Sequence, residues 1–554
     1  MSSYHLTPLT LQPSHECAST DTGFNTPLSS QTALLKSGDT TSNHVIDIES
    51  RNDSAALISP GAAFSKHDRK HIDKTISRRV VILLGAMYSI SLIDRKTTSV
   101  ALVAGMGRDL DLVEERYNML NAIVFIPLSL LALPSTVIVR TWGPRNLLTA
   151  TTFLWGLTTI VSGFVETWEA LLILRFMLGL WEAGLFPGCV YLVQCWFPRY
   201  DLGKANAGFF LLGLIPAAMS GLSGSGLTRL EIVGAGPEWW GAHLDNRSPG
   251  FPSYSAPENG TAVLETGYGP GVAGWRWIFF LNGTITCLTS IAAWFLLVDF
   301  PDTMIQNNRC RVKFLNKDEV TRAVKRISRD RQDVLPTSFD FGQYMSYIWD
   351  IKVWSFAALF GMNAFVAYAI AFSLPIDLIE NLKLTPVPQA LLMTAGPYLV
   401  AAILGRVCAH FSDKLRLRSP FLLASNTLTI IGLFLMALAS APAAKYTGTF
   451  FATLPLCMNT PAILAWQGNN VRGQWKRASA IAFMVGAGAI GGMAGSFAFR
   501  LYDAPHFYIG HGMCIGAMFL SIVVTLLLVW QLDGENKRAG LSGTEGLEGF
   551  KYTL

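Results

Sequence analysis

The sequence predicts an all-α membrane protein of about twelve transmembrane helices, and two observations lead to this fold class. Hydrophobic residues make up 51% of the chain and charged residues only 15%, whereas an average soluble domain carries roughly 25% charge. Apolar stretches long enough to cross a bilayer, about 17 to 25 residues each, recur from Val80 to Trp530. A lipid bilayer is therefore the expected solvent for most of the chain.

The apolar stretches form two groups of six, which a polar segment separates. This segment, residues 300–350, contains a charged, helix-permissive run at 316–330 and is predicted to be a cytosolic linker. The predicted spans are 79–103, 117–139, 147–165, 168–195, 205–228, 275–298, 353–376, 388–411, 420–441, 447–468, 477–500 and 507–531. The remaining organisation is a disordered cytosolic tail at 1–75, an N-terminal half at 76–299, a C-terminal half at 351–532 and a cytosolic tail at 533–554.

Lysine and arginine collect in the loops on one side of the predicted bundle, which the positive-inside rule assigns to the cytosol. Both termini are therefore expected in the cytosol, and the plasma membrane is the expected location. The opposite side receives a long insertion at 229–273 that is rich in Gly, Pro and Ser. Within it, Asn246 and Asn259 begin tripeptides that accept N-glycosylation.

Composition and spacing argue against other classes of protein. The net charge of +5 is spread over several loops, so nucleic acid is not an expected partner. The eight cysteines show no metal-ligand or redox spacing. No nucleophile and base pair, phosphate-binding loop or metal-ligand set stands out. The sequence favours a monomeric transporter without a cofactor over an enzyme.

Charged residues inside predicted spans cost about 2.5 to 3.5 kcal/mol each to insert, and a group of four stands out. Asp94 and Arg95 lie in span one, and Arg175 and Glu182 lie in span four. Residues seven positions apart share one helix face, so Arg175 and Glu182 are expected about 10 Å apart along the axis. Structural ion pairs are one explanation, but the desolvation cost of burying two carboxylates and two guanidiniums favours a functional role.

Neutral polar residues inside spans are further candidates for contact with a ligand. Asn363 and Tyr368 lie in span seven, and Trp466 lies in span ten. Binding pockets use a few such polar groups among apolar walls, which predicts a role in substrate binding. Helix packing explains these residues equally well.

Several motifs follow one another in a fixed order along residues 75–535. They are IDRKTTSVA, WGPRNLL, LRFMLGLWEAGLFPG, GWRWIFFLNG, SDKLRLR, WQGNNVRGQWKRASAIA and DAPHFYIGHG. With them the chain resembles the anion:cation symporter branch of the major facilitator superfamily, and specifically the fungal allantoate permease-like transporters. The resemblance implies two six-helix, pseudo-symmetric halves that enclose one central site and rock to give alternating access.

The resemblance also implies roles for the charged residues. Asp94 and Glu182 look like the proton-carrying carboxylates, and Arg95 and Arg175 like their counter-charges. Both arginines are expected to bind the substrate, with Arg95 best placed to meet its carboxylate. An anion that competes for the guanidinium frees the carboxylate to accept a proton. Substrate and proton then reinforce each other's binding, as symport requires.

The loop motifs imply gating residues on the cytosolic side, and several positions depart from the family pattern. The gating residues are Arg145, Asp413, Lys414 and Arg416. The departures are Lys96-Thr97-Thr98 where a Thr-Asn-Ile run is usual, Asn282 where Glu is common, Ala489 where Asn is common, and Arg140-Thr141 in place of an acid and base pair.

These observations lead to one leading function and two rivals. The leading function is proton-coupled import of a small organic anion, such as a carboxylate vitamin, a ureide or a related nutrient. The first rival is efflux of a metabolite or toxin by proton antiport, which the same fold supports. The second rival is a transporter-like nutrient sensor that carries no net flux.

Overall fold

The computed structural model describes residues 66–112, 114–198, 201–227, 273–306, 315–331, 339–380, 387–415, 417–499, 507–539 and 551–554. All of these residues belong to one compact unit, 57–554. The predicted N-terminal tail up to residue 65, the glycosylation candidates Asn246 and Asn259, and Arg416 lie outside the described residues.

Twelve long helices occupy the positions of the predicted spans, which confirms the predicted fold class. Within the described residues, nine helices are long and apolar enough to cross a membrane. The other three, Pro144–Ser162, Leu202–Leu227 and Val387–Leu415, are apolar helices of 19, 26 and 29 residues. The bounds are α1 His71–Ala101, α2 Arg116–Trp142, α3 Pro144–Ser162, α4 Trp168–Trp196, α5 Leu202–Leu227, α6 Gly274–Leu296, α7 Ile351–Glu380, α8 Val387–Leu415, α9 Ser419–Leu438, α10 Pro442–Asn470, α11 Gln474–Gly495 and α12 Tyr508–Ala539.

Local sequence signals define the hairpins between helices. Gly143 has a φ of +85°, which a residue without Cβ adopts at little cost, and it lets the chain turn sharply after α2. Pro144 then begins α3, where its missing N–H is not needed. The side chain of Thr167 caps α4 by accepting a hydrogen bond from the N–H of Ala170 at 3.4 Å.

The same pattern of helix contacts occurs in both halves of the bundle. In the N-terminal half, α1 contacts α5 and α6, α3 contacts α4 and α6, and α2 contacts α4. The C-terminal half repeats each contact with six added to both helix numbers. The halves meet along two seams, α5 with α8 and α2 with α11. The pseudo-symmetry that relates the two halves also relates these two seams, since α5 corresponds to α11 and α2 to α8. The bundle therefore has two pseudo-symmetric six-helix halves.

Many of the charged loops meet at one end of the bundle, which we call the basic end. The linker contains a helix, Lys317–Arg331, close to the predicted 316–330. Arg326 of this helix pairs with Asp73 at 2.5 Å and with Asp201 at 3.0 Å. Other ion pairs at this end are Arg140 with Asp302, Lys352 with Glu535, and Lys476 with Asp350.

Candidate functional site

A cavity of about 130 Å³ lies between the two halves. Its walls come from α1, α2, α4 and α5 of the N-terminal half and from α7, α8, α10 and α11 of the C-terminal half. These two sets are equivalent by the pseudo-symmetry, so the cavity lies on the axis that relates the halves. This is the position at which a rocking transporter exposes its site to each side in turn.

Arg95 and Glu182 form an ion pair on the cavity wall. Two nitrogens of Arg95, Nε at 3.0 Å and one terminal nitrogen at 2.7 Å, donate to Oε1 of Glu182. The hydroxyl of Ser91 donates to the same oxygen. Oε2 of Glu182 is buried and has no hydrogen-bond partner among the described residues. One carboxylate oxygen is thus saturated while the other is available for a proton.

Asp94 and Arg175 form a second, looser pair that lies outside the cavity lining. Oδ2 of Asp94 is 4.0 Å from the nearest Arg175 nitrogen and accepts a hydrogen bond from the indole of Trp155 at 3.2 Å. The guanidinium of Arg175 lies 5.5 Å from the ring centre of Phe279. Within the described part of the chain, Asp94 Oδ1 and two Arg175 nitrogens have no hydrogen-bond partner. The four charged residues predicted as one group are therefore two pairs, of which Arg95 and Glu182 face the cavity. Arg175, also predicted to bind the substrate, does not line this cavity.

Aromatic rings surround the cations of the cavity. The Arg95 guanidinium lies 5.5 Å from the ring centre of Tyr368 and 6.0 Å from that of Phe125. Nζ of Lys96 lies 3.6 Å from the ring centre of Tyr398 on α8, a cation–π contact across the two halves. Lys96 departs from the family pattern, and neither Lys96 nor Tyr398 was predicted as a site residue from the sequence. The available signal was a lysine well inside a predicted span, next to Asp94 and Arg95.

Asn363 and Tyr368, predicted as substrate-binding residues, both line the cavity. Nδ2 of Asn363 donates to the hydroxyl of Thr460 at 3.0 Å, and its Oδ1 has no hydrogen-bond partner in the described part of the chain. A buried amide oxygen without a partner is costly, so it favours a ligand with a donor group. Tyr368 packs edge to face on Phe125 at 4.9 Å and links α7 to α2.

Trp466, also predicted to bind substrate, does not line the cavity. Its indole N–H donates to the backbone oxygen of Thr553 at 2.8 Å. The side chain of Asn470 also binds Thr553, donating to that oxygen at 3.0 Å and accepting from the N–H at 2.8 Å. Because an indole has a single donor, the contact with Thr553 uses the full hydrogen-bonding capacity of Trp466.

Asp413, one of the predicted gating residues, joins the halves at the basic end. It accepts hydrogen bonds from the side chain of Arg418 and from the backbone N–H of Lys204 in α5, the latter at 2.8 Å. Arg145 instead lies 5.1 Å from the ring centre of Trp294, within the N-terminal half. Lys414 is exposed to solvent. Of the predicted gating residues with described side chains, Asp413 therefore makes the contact between halves.

At the basic end, α2 contacts both α11 and the linker. Arg140 of α2 donates to Gln474 of α11 at 3.2 Å. Tyr344, on the short helix Phe341–Ser346, contacts the hydroxyl of Thr136 at 2.8 Å and donates to the oxygen of Leu133 at 3.1 Å. Burial raises the pKa of Tyr344 to about 12, so its hydroxyl stays protonated at neutral pH. The linker thus holds α2 through a neutral hydrogen bond.

Known proteins resemble this chain in sequence over most of its length. A family model described as Major Facilitator Superfamily matches residues 84–239. The MFS-type transporter cnsO of Penicillium expansum is 26% identical over 539 residues, which cover 96% of each chain. The high-affinity nicotinic acid transporter of Saccharomyces cerevisiae is 23% identical over 474 residues, covering 84% of this chain and 79% of that protein.

Solved structures show the same fold. The proton:xylose symporter XylE of E. coli superimposes with a TM-score of 0.57 at 14% identity, over 82% of this chain and 95% of that one. The human organic anion transporter MFSD10 (TETRAN) gives a TM-score of 0.52 at 11% identity, over 82% and 98%. At these identities the likeness establishes the arrangement of helices.

Proposed function

We propose that this chain is a membrane transporter of the major facilitator superfamily, and that it imports a small organic anion together with protons by alternating access. The observation that carries this proposal is the ion pair of Arg95 and Glu182 on the wall of the central cavity. Arg95, which can bind an anion, and Glu182, which can accept a proton, are bound to each other there. Binding of an anion to Arg95 therefore affects the binding of a proton to Glu182.

The burial of this pair explains why anion and proton bind together. Removing one partner of a buried ion pair leaves an uncompensated charge, which costs about 3 to 5 kcal/mol. A substrate carboxylate that takes Arg95 leaves Glu182 as that charge, and a proton on Oε2 of Glu182 removes it. A proton alone leaves Arg95 without a counter-charge. Each ligand therefore strengthens the binding of the other, and the effect is reciprocal by linkage.

Asp94 is the second proton carrier in this proposal. It is adjacent to Arg95 in α1, and its pairing with Arg175 at 4.0 Å is too long for a direct hydrogen bond. Oδ1 of Asp94 has no hydrogen-bond partner among the described residues and is the atom that accepts the proton. Protonation of Asp94 weakens its electrostatic attraction to Arg175 on α4, the helix that also contains Glu182.

The walls of the cavity favour a flat, largely apolar substrate body. Tyr88 packs against Phe186 at 5.0 Å and against Phe210 at 5.5 Å, and all three line the cavity. Oδ1 of Asn363 adds an acceptor on the opposite half. Among the carboxylate vitamins, ureides and related nutrients that the sequence predicts, these walls favour an aromatic carboxylate. One relative, in Saccharomyces cerevisiae, is named for nicotinic acid, which belongs to this class.

We place the chain in the anion:cation symporter branch, with the fungal allantoate permease-like transporters, on the ordered motifs of residues 75–535. The protein acts at the plasma membrane as a monomer, with its basic end and both termini in the cytosol. The insertion 229–273 then faces outward and carries glycans at Asn259 and Asn246.

Uptake by proteoliposomes tests the function directly. Purified full-length protein is reconstituted, a gradient with the acidic side outside is imposed, and labelled nicotinate, benzoate and allantoate are offered. We expect at least one carboxylate to accumulate above its external concentration and to leak out when the pH gradient is dissipated. Accumulation driven by the opposite gradient would establish proton antiport, and the absence of any flux would favour the sensor.

Arg95→Lys provides the site-specific arm of this experiment. Lysine keeps the charge but loses the planar, two-nitrogen contact that carboxylates prefer, so we expect substrate binding to fall at least tenfold, a loss of about 1.4 kcal/mol. Arg538→Lys, at the exposed end of α12, is the matched control and should transport normally. Equal uptake by both variants would remove Arg95 from the binding site.

A further inference from the structure

A second cavity, which we call the basic groove, lies at the basic end of the seam between α5 and α8. Its volume is about 580 Å³, and its walls come from α1 and α5 of the N-terminal half, α8 of the C-terminal half and the linker helix. It is separate from the central cavity, because none of its lining residues is shared with that cavity.

Among the described residues that line the basic groove, cations outnumber acids by five to two. Both acids, Asp73 and Asp201, are bound by Arg326. Lys74 and Arg78 are exposed, and Arg406 donates to the backbone oxygen of Lys204 at 2.6 Å across the seam. The five cations are Lys74, Arg78, Lys204, Arg326 and Arg406. The described lining of the groove therefore presents a net charge of +3, five minus two, to any ligand.

The chemistry of the groove changes from cationic to aliphatic within about 12 Å along α1. Lys74, Arg78 and Ile82 are four residues apart, so they share one exposed helix face. The lining also changes from cationic to aliphatic along the two neighbouring helices, from Lys204 to Ile215 in α5 and from Arg406 to Ile403 in α8. The three isoleucines are 51%, 46% and 68% exposed, for Ile82, Ile215 and Ile403 respectively.

We propose that the basic groove binds one anionic phospholipid from the leaflet at the basic end. The headgroup phosphate lies among the cations, and an acyl chain lies along the exposed isoleucines. Charge complementarity selects the anionic headgroup, and the adjoining apolar wall selects a lipid over a free phosphate. Anionic lipids are the common source of negative charge at the cytosolic leaflet, which is where the positive-inside rule places this end.

The position of the groove gives the lipid an effect on conformation. The groove includes residues from both sides of the α5 and α8 seam, and this seam is closed by the Arg406 to Lys204 contact. A phosphate between the cations reduces their mutual repulsion, so it stabilises the closed seam. A ligand that binds one conformation better shifts the equilibrium toward it.

Native mass spectrometry of the purified full-length protein tests the proposal, with phosphatidylserine and phosphatidylcholine as the probes. We expect wild-type protein to retain phosphatidylserine in preference. The double variant Lys74→Gln and Arg78→Gln should bind phosphatidylserine ~30-fold more weakly, since each cation near the surface contributes about 1 kcal/mol. The single variant Arg78→Gln should lose about fivefold on the same basis.

The matched control is the double variant Lys537→Gln and Arg538→Gln, which removes two exposed cations from the end of α12 outside the groove. An equal loss of phosphatidylserine binding in both double variants would overturn the site, because any basic surface would then be sufficient to bind the lipid. Equal retention of the two lipids by wild-type protein would also overturn it. Competition by glycerophosphoserine as strong as that of the lipid would identify a free-anion site instead. Monodisperse elution in detergent shows that each variant is folded.

Discussion

Asp94 and Arg95 are adjacent in α1 yet have different partners. Asp94 accepts a hydrogen bond from Trp155 at 3.2 Å inside the N-terminal half, whereas Arg95 donates to Glu182 at 2.7 Å on the cavity wall. Successive residues of a helix point about 100° apart around its axis. The side chain of Asp94 therefore points into the interior of the N-terminal half, and that of Arg95 points toward the cavity. Substitutions at the charged positions should therefore have separable effects.

Glu182→Gln should abolish uphill accumulation while leaving exchange of substrate across the membrane. Glutamine mimics the protonated acid, so Arg95 stays available to the substrate but no proton is released. Counterflow and pH-driven accumulation in the same proteoliposomes measure the two properties. Glu169→Gln, an exposed carboxylate on the same helix, is the control and should retain both. Normal pH-driven accumulation by Glu182→Gln would return this residue to a structural role.

Asp94→Asn should lower accumulation with a smaller effect on substrate affinity, because Asp94 is outside the cavity lining. Asparagine keeps an oxygen that accepts from Trp155, which preserves the packing of α1 on α3. Substrate affinity from equilibrium binding and accumulation from flux separate the two effects. A loss of affinity as large as that of Arg95→Lys would contradict the division between the two pairs.

Lys96→Met should weaken binding of a dianion more than that of a monoanion. Lys96 adds a second cation to a cavity that already contains Arg95, so its charge acts on a second carboxylate. We expect about a tenfold larger loss for quinolinate than for nicotinate. Lys96→Arg, which keeps the charge, is the control. If methionine lowers the affinity for both probes equally, Lys96 acts through packing on Tyr398.

Asp413→Ala should destabilise the protein by about 3 to 5 kcal/mol, since it leaves the buried guanidinium of Arg418 without its counter-charge. The neighbouring Lys414→Gln, at an exposed position, should change stability by less than about 0.5 kcal/mol. Thermal unfolding of the two purified variants provides the comparison. Similar unfolding midpoints would show that the Asp413 contact contributes little to the closed seam.

A short epitope inserted within 229–273 should be labelled on intact cells, whereas one at residue 2 should be labelled only after permeabilisation. The reason is the concentration of lysine and arginine at the opposite end of the bundle. An epitope in the linker at 332–338 serves as a second internal marker. Labelling of residue 2 on intact cells would invert the proposed topology.

The sequence was sufficient to predict the twelve helices because the bilayer fixes their length and apolar content. The predicted 117–139 and 168–195 correspond to Arg116–Trp142 and Trp168–Trp196. The helices extend beyond the apolar runs where polar residues continue them outside the bilayer, as in Val387–Leu415 against the predicted 388–411. Hydropathy detects the membrane-embedded part of a helix and does not detect its polar ends.

The site was predicted only in part, because the rotation of each helix about its axis is set by packing. Sequence placed four charges in two spans but did not determine which acid pairs with which base. It also gave Trp466 a substrate role, since nothing local indicates that Thr553, 87 residues later, accepts its hydrogen bond. Contacts between residues so distant in the chain depend on the tertiary fold.

Among the described residues, the charged side chains that line the central cavity are Arg95, Lys96 and Glu182, and all three belong to the N-terminal half. With Glu182 ionised they sum to +1, two minus one, and the C-terminal half contributes neutral groups to this wall. A charge that crosses the full membrane potential changes its energy by about 2.3 kcal/mol per 100 mV. Rocking of the halves therefore moves the net charge of this wall through the electric field with the N-terminal half. The contribution of the cavity wall to the voltage dependence of the transport cycle should arise in that half.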